Sequence, residues 1–244
     1  MSAISLTVSR YDSHQGSFVS TYEIQAEGTL LEALGTIKQE QDPTLSFRSG
    51  CRSGVCGCCA VRVDGVAKLA CETKLSEGSV HLEPLDKLPV VRDLIVDTTA
   101  SLQKNRVAIA PLEAKPLEQE ALHRIEKQSE CILCHSCYSA CPVLATNENF
   151  LGPFALTRAW RYSADERQTQ TKTIIDAIQK DGIWDCILCG DCATVCPVGI
   201  NPKNDISLLR TRSAAFGYMD PSFGSFGSFG GNFGDFGFGE VTFS

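Results

Sequence analysis

The sequence lacks long apolar runs, an excess of positive charge and an export signal. Its longest apolar runs, within residues 88–96, are interrupted by Arg92 and Asp93 and are too short to cross a bilayer. The formal net charge of -7 disfavours binding to nucleic acid, because contacts with phosphates require clustered lysines and arginines. The first residues contain neither a basic segment followed by an apolar one nor a twin-arginine pair. We therefore expect protein or small-molecule partners and no transmembrane segment.

Side chains for bond-making chemistry are scarce too. His14, His81 and His123 have no convergent partners in the sequence, and no Ser-His-Asp set, carboxylate pair or glycine-rich phosphate motif is visible. We therefore assign no catalytic residue to this chain.

Cysteine, in contrast, is abundant, with 13 residues, of which 12 fall into three groups with regular gaps. A disulfide framework is disfavoured because the total is odd and no secretory signal is present. Cysteines separated by two residues also usually face one metal centre. The spacing therefore predicts metal binding, and without catalytic side chains it indicates a chain that conducts electrons.

The first group has the spacing C-x4-C-x2-C-x11-C, which is the plant-type pattern of [2Fe-2S] ligands. Glycines in and before the loop allow it to bend tightly and to turn its N-H groups toward the sulfurs. A zinc site is the alternative, since four thiolates also satisfy zinc. Cys58 falls outside the spacing and is expected to be a small buried thiol near the cluster. The predicted [2Fe-2S] ligands are Cys51, Cys56, Cys59 and Cys71.

The other two groups repeat the pattern C-x2-C-x2-C-x3-C-P, which is typical of bacterial two-cluster ferredoxins. In that pattern the fourth cysteine of each run binds the cluster of the other run. His135 lies inside the first run and is expected beside the cluster or on the surface, because cysteines already fill every ligand position. The predicted ligands of one [4Fe-4S] cluster are Cys131, Cys134, Cys137 and Cys196, and those of a second [4Fe-4S] cluster are Cys141, Cys186, Cys189 and Cys192.

The rest of the sequence predicts an α+β chain. Alternating apolar and polar residues at 4–10 and 17–26 predict a β-hairpin, and leucines at helical spacing after Thr29 predict a helix. Three strands are expected after the first cysteine loop, whereas residues 111–130 and two segments between the cysteine runs predict helices. The last 24 residues are rich in Phe, Gly and Ser and are expected to be disordered or bound in a groove of a partner.

Six motifs follow one another in residues 1–212: "CRSGVCGCCAVRVDG", "LACET", "PVVRDLIVD", "CILCHSCYSACP", "FLGPFALTRAWRY" and "CPVGINP". Their ordered combination closely resembles the iron-sulfur subunit of the succinate dehydrogenase and fumarate reductase family. The resemblance implies a β-grasp [2Fe-2S] ferredoxin-like domain at 1–105 and an α-helical bacterial-type ferredoxin domain with two four-iron sites at 106–215, followed by the tail at 216–244. It also implies that electrons pass between a FAD flavoprotein subunit, where succinate or fumarate reacts, and a quinone-linked membrane-associated subunit.

Two departures from the common members of this family stand out. Their third cluster is [3Fe-4S], with a residue other than cysteine at the position of Cys189, so a complete second four-iron site is expected here. A [3Fe-4S] cluster held by Cys141, Cys186 and Cys192 is the alternative. The segments after the two CP pairs also lack the expected quinone-contacting side chains, since Val143, Leu144 and Val198 cannot donate hydrogen bonds.

Both departures resemble a non-classical branch of the family, including methylmenaquinol:fumarate reductases, in which the membrane-partner subunit carries cysteine-rich CCG domains. The chain is then expected to be peripheral to a membrane, on the cytoplasmic face or, by co-export with its flavoprotein, in the periplasm. The alternatives are a free-standing multi-cluster ferredoxin, a subunit of a thiol-driven fumarate reductase, and a structural zinc protein.

Overall fold

A five-stranded mixed sheet forms the first half of the protein, whose computed structural model describes residues 3–25, 28–108 and 111–224. The strands occur in the spatial order β2-β1-β5-β3-β4, with β1 parallel to β5 and the other neighbours antiparallel. They are β1 (Ala3–Asp12), β2 (Gly16–Gln25), β3 (Ala60–Val63), β4 (Val66–Leu69) and β5 (Gly78–Glu83). The predicted hairpin is confirmed, as are the three strands after the cysteine loop.

Helix α1 (Leu30–Glu40) shares the core of this sheet, and it begins where the sequence predicts. Thr29 and Glu32 form a capping box, in which the Glu32 N-H donates to Thr29 Oγ1 at 3.3 Å and the Thr29 N-H donates to Glu32 Oε2 at 2.7 Å. The leucines at helical spacing are buried on one face. The helix therefore packs on the sheet and precedes the first cysteine loop.

The second half of the protein is helical. A two-stranded hairpin of β6 (Val90–Arg92) and β7 (Ile95–Val96) precedes it, and 3-10 turns cover Asn105–Ala108 and Val143–Ala145. The helices are α2 (Thr99–Lys104), α3 (Gln119–His123), α4 (Glu126–Ser129), α5 (Ser136–Ala140), α6 (Pro153–Ser163), α7 (Thr171–Ala177), α8 (Asp191–Thr194), α9 (Pro202–Ala215) and α10 (Pro221–Gly224). A sheet half followed by a helical half confirms the α+β class.

The predicted helix over residues 111–130 is wrong in its first part. Residues 111–118 are not helical, and only the short helices α3 and α4 follow them. Pro116 lacks an N-H group and disfavours helical backbone in the residue before it, so the charged, helix-favouring composition does not decide the structure there.

Polar contacts join the sheet half to the helical half. The Asp86 N-H donates to Ser139 Oγ at 2.9 Å, and Lys87 Nζ donates to the Ser139 carbonyl. These contacts hold α5, which follows a cysteine loop, against the sheet half. Within the helical half, Lys104 Nζ at the end of α2 donates to Tyr138 Oη at 3.1 Å and to the Phe150 carbonyl at 2.8 Å.

The domain boundaries at residues 105/106 and 215/216 stay predictions, and most of the predicted tail, residues 225–244, lies outside the described residues. In the described part of the chain, no helix has the length and apolar character needed to cross a bilayer.

Candidate iron-sulfur centres

The loop from Cys51 to Cys59 directs several backbone N-H groups at one thiol. Ser53, Val55 and Cys56 donate N-H hydrogen bonds to Cys51 Sγ at 3.3–3.4 Å. The Ser53 N-H, followed by the Cys56 thiol, lowers the pKa of Cys51 to about 6. The loop thus stabilises a thiolate, which is the form that binds iron.

Cys59 and Cys71 form the buried side of the same region. Cys71 comes shortly after β4, and the Gly54 N-H donates to its Sγ at 3.3 Å, which ties the loop to this later segment. Burial, together with the neighbouring Cys71 thiol, raises the pKa of Cys59 to about 12. A thiol in such a place loses its proton when a metal binds it, because the metal charge compensates the buried thiolate.

Cys58 lies beside this group, with its Sγ 3.3 Å from Cys56 Sγ. It is half-buried, so the expectation of a buried thiol is wrong. Burial, followed by the Cys56 thiol, raises its pKa to about 11.

The two later runs share a backbone conformation as well as a spacing. Leu133 and His135 have φ values of 52° and 64°, and the equivalent Leu188 and Gly190 have 56° and 97°. A short helix follows each loop, α5 in the first and α8 in the second. Left-handed residues turn N-H groups into the concave side of a loop, and the Leu188 N-H donates to Cys186 Sγ at 3.4 Å.

The fold brings these eight cysteines together in two crossed groups. Burial is the main cause that raises the pKa values of six of them, and the charge of nearby thiols in the same group adds to it. Cys137 also has Cys192 as a neighbour, so the two groups lie side by side. One group contains Cys131, Cys134, Cys137 and Cys196, and the other contains Cys141, Cys186, Cys189 and Cys192.

Among the described residues, no three His, Cys, Asp or Glu side chains are placed to hold one metal ion. A zinc ion needs its thiolates at about 2.3 Å. The N-H donors and the crossed groups fit multinuclear iron-sulfur clusters, in which the thiolates are shared among several irons.

His135 is buried, so the alternative of a surface position is wrong. Its ring packs edge-on against Phe154, with ring centroids 5.1 Å apart, and it lies near Tyr138. Burial lowers its pKa, so the ring is neutral at physiological pH. Its role is packing beside the cysteine loop.

Arg210 is a site residue that the sequence did not indicate. From α9 it donates Nε to the Ile183 carbonyl at 2.9 Å and Nη2 to the Cys186 carbonyl at 2.6 Å. Its guanidinium also lies over the Trp184 ring, 5.4 Å from the centroid. The cation therefore fixes the segment that begins the second cysteine run.

Comparison with known proteins agrees with both halves of the site. Residues 5–118 match the family described as "2Fe-2S iron-sulfur cluster binding domain", and residues 127–200 match "4Fe-4S dicluster domain". The fumarate reductase iron-sulfur subunit of Mycobacterium tuberculosis is 36% identical over 232 residues, which cover 88% of this chain and 94% of the relative. The 8-methylmenaquinol:fumarate reductase iron-sulfur subunit of Wolinella succinogenes is 37% identical over 206 residues, which cover 77% of this chain and 64% of the relative.

A solved structure supports the same similarity. A chain of the Mycobacterium smegmatis Sdh1 complex in the apo form superposes with a TM-score of 0.81 at 26% identity, over 90% of this chain and 99% of that chain.

Proposed function

The chain belongs to the family of iron-sulfur subunits of fumarate reductases and succinate dehydrogenases, and we propose that its three cysteine groups form the electron path of such a complex. As a member, it is an electron-carrying subunit of an oxidoreductase complex and relays electrons between a flavoprotein subunit and a membrane-associated subunit. The observation that carries the proposal is the arrangement of 12 cysteines in one looped and two crossed groups.

The residues that would hold the clusters are those predicted from spacing. A [2Fe-2S] cluster would be bound by Cys51, Cys56, Cys59 and Cys71, a first [4Fe-4S] cluster by Cys131, Cys134, Cys137 and Cys196, and a second by Cys141, Cys186, Cys189 and Cys192. When bound, such clusters accept and release single electrons. The N-H donors around Cys51, Cys186 and Cys196 support the assignment, because they offset the negative charge of thiolates.

The second four-iron cluster is the finer part of the proposal. Cys189 completes the second run, and its neighbours Cys141 and Cys192 belong to the same crossed group. Leu188, directly before it, has the same left-handed conformation as Leu133 in the first run. A loop with the same shape and the same ligands supports the same type of cluster in both places.

The partner that accepts electrons from this group is proposed to be a cysteine-rich subunit of the CCG type. Val143 and Leu144, which follow the first run, are buried and carry no side-chain hydrogen-bond donor for a quinone. A methylmenaquinol-dependent enzyme is among the relatives. These features support electron transfer to another protein centre, with FAD and quinone held by partner subunits.

Chemical analysis and EPR of the purified complex test the cluster assignment. We expect about ten iron and ten sulfide atoms per chain, from one two-iron and two four-iron clusters. Cys189→Ala should lose about one iron and should acquire the EPR signal of an oxidised [3Fe-4S] cluster. Cys58→Ala is the matched control, since it removes a thiol from outside the three groups, and it should leave iron content and spectra unchanged.

Contrary results have distinct meanings. Unchanged spectra in Cys189→Ala would assign a [3Fe-4S] cluster to the natural protein, and zinc without acid-labile sulfide would contradict the relay as a whole. Purification of the tagged chain from its own source tests whether a flavoprotein subunit and a membrane-associated subunit copurify with it. A stable monomer free of flavin would instead favour a free-standing ferredoxin.

A further inference from the structure

The first cysteine loop touches the second one at a residue without a side chain. Gly57 follows Cys56, and its backbone lies against the segment that carries Cys134. A methyl group on Gly57 would lie 2.8 Å from the Ile132 carbonyl oxygen, 2.9 Å from Cys134 Cβ and 3.0 Å from Cys134 Cα. Real side chains do not approach so closely, so only glycine permits this contact.

The atoms that meet Gly57 cannot move aside. They are a backbone oxygen, a backbone carbon and the Cβ of a proposed ligand, and none of them can rotate away as the end of a long side chain can. Gly54, in the same loop, differs in this respect. A methyl group there would meet only the carboxyl end of Glu72, at 2.3 Å, and that side chain can swing into solvent.

We propose that Gly57 is a positioning residue that sets the separation between the [2Fe-2S] group and the neighbouring four-iron group. Cys56, Gly57 and Cys134 then form a bridge of covalent bonds and van der Waals contact between the two groups. Electron tunnelling falls steeply with distance, so a side chain at this point slows transfer between them. The proposal rests on the ligand assignment given above.

A glycine needed only for its backbone conformation would behave differently. Gly57 has a φ of 68°, and Gly54 and Gly65 have similar values of 74° and 81°. Substitution by alanine strains all three positions alike. Only at Gly57 does the added methyl group also press on the second loop, because near Gly65 the closest atom is Arg62 Nη2 at 3.8 Å.

The experiment compares Gly57→Ala with Gly65→Ala, a glycine of similar φ outside the cysteine loop, in the purified, fully reduced complex. Each reduced cluster carries an unpaired spin, and a nearby spin speeds the relaxation of the [2Fe-2S] EPR signal. We expect the microwave power that half-saturates this signal to fall several-fold in Gly57→Ala and to stay unchanged in Gly65→Ala. Electron transfer between the two centres, measured by rapid-freeze EPR, should also be several-fold slower in Gly57→Ala. Unaltered relaxation and transfer in a Gly57→Ala protein with full iron content would overturn the proposal.

A second variant keeps the test decisive if Gly57→Ala fails to assemble. Lys87→Met removes the hydrogen bond from Lys87 Nζ to the Ser139 carbonyl, which also joins the two halves, but leaves the glycine contact intact. Its EPR relaxation should match that of the unmodified protein. A several-fold change would show that the hydrogen bonds, and not Gly57, set the separation. Iron content and the spectra of the unmodified protein test the ligand assignment independently of either variant.

Discussion

Arg210 donates its Nη2 hydrogen bond to the carbonyl oxygen of Cys186 at 2.6 Å, and so joins helix α9 to the first cysteine of the second run. The same guanidinium binds the Ile183 carbonyl and lies over the Trp184 ring. These contacts stabilise the conformation of the loop. The positive charge also favours the more negative, reduced state of the group that Cys186 binds.

Arg210→Gln should therefore change both stability and potential. Loss of hydrogen bonds from a charged donor should cost about 1.5 to 3 kcal/mol of unfolding free energy. The midpoint potential of the centre that includes Cys186 should shift to a more negative value, as a redox titration followed by EPR would show. Arg212→Gln, on the same helix, is the control for a general loss of positive charge and should shift that potential less. A destabilised Arg210→Gln protein with an unshifted potential would limit Arg210 to a structural role.

Asp205 should make the stability of the helical half depend on pH. It is 1% exposed, and its carboxylate accepts hydrogen bonds from Gln128 Nε2 at 2.8 Å and from Thr157 Oγ1 at 2.9 Å. Burial nevertheless raises its pKa to about 6. Because the folded-state pKa is above the ordinary value of 3.8, the protonated form is favoured by folding. The stabilisation of the folded state by protonated Asp205 is fully present below pH 3.8. It is lost as the pH rises through about 6.

Asp205→Asn tests this expectation, since the amide oxygen can still accept from Gln128 Nε2 and the amide N-H can donate to Thr157 Oγ1, without the buried charge. At pH 8 the variant should be more stable by about 2 to 3 kcal/mol, which follows from a pKa difference of roughly two units. The difference from the unmodified protein should shrink between about pH 6 and pH 4. Thermal unfolding midpoints, measured for both proteins across this range, check it. A difference that does not vary with pH would contradict the assignment to Asp205.

A buried ion pair secures the sheet half. Arg10 Nε lies 3.0 Å from Asp93 Oδ1, and Arg10 Nη2 lies 3.1 Å from Asp93 Oδ2, so the contact is bidentate. Both side chains are buried, and Asp42 is a second partner of the arginine. Asp93→Ala removes one partner of a buried cation and should cost about 3 kcal/mol. The unfolding midpoint should fall by roughly 6 to 12 °C for a chain of this size.

The pair between Arg62 and Glu83 is the matched control for this prediction. Its two side chains are 27% and 28% exposed, and their charged atoms are 3.4 Å apart. Because solvent screens such a pair, Glu83→Ala should cost less than about 1 kcal/mol. Equal losses in the two variants would show that burial does not decide the strength of these contacts.

Much of this protein could be predicted from local sequence. The alternation at residues 4–10 and the leucine spacing after Thr29 indicate β1 and α1, because strand and helix periodicity depend on neighbouring residues. Cysteine spacing likewise predicts the proposed ligand groups, because a loop of fixed length around a cluster allows only certain gaps. The charged composition wrongly predicts a helix at residues 111–118, because Pro116 opposes the helix that the residues around it favour.

Tertiary structure decided the relationships between distant segments. The contact of Gly57 with Cys134, the hydrogen bond from Arg210 to Cys186 and the burial of His135 all depend on how the two halves and their helices pack. No local pattern encodes them, since each joins residues that are separated by many positions or depends on neighbours contributed by other helices. The sequence by itself therefore determined which groups of cysteines are proposed to bind iron. Only the folded chain decided how closely those groups approach, which charges face them and which thiols are removed from water.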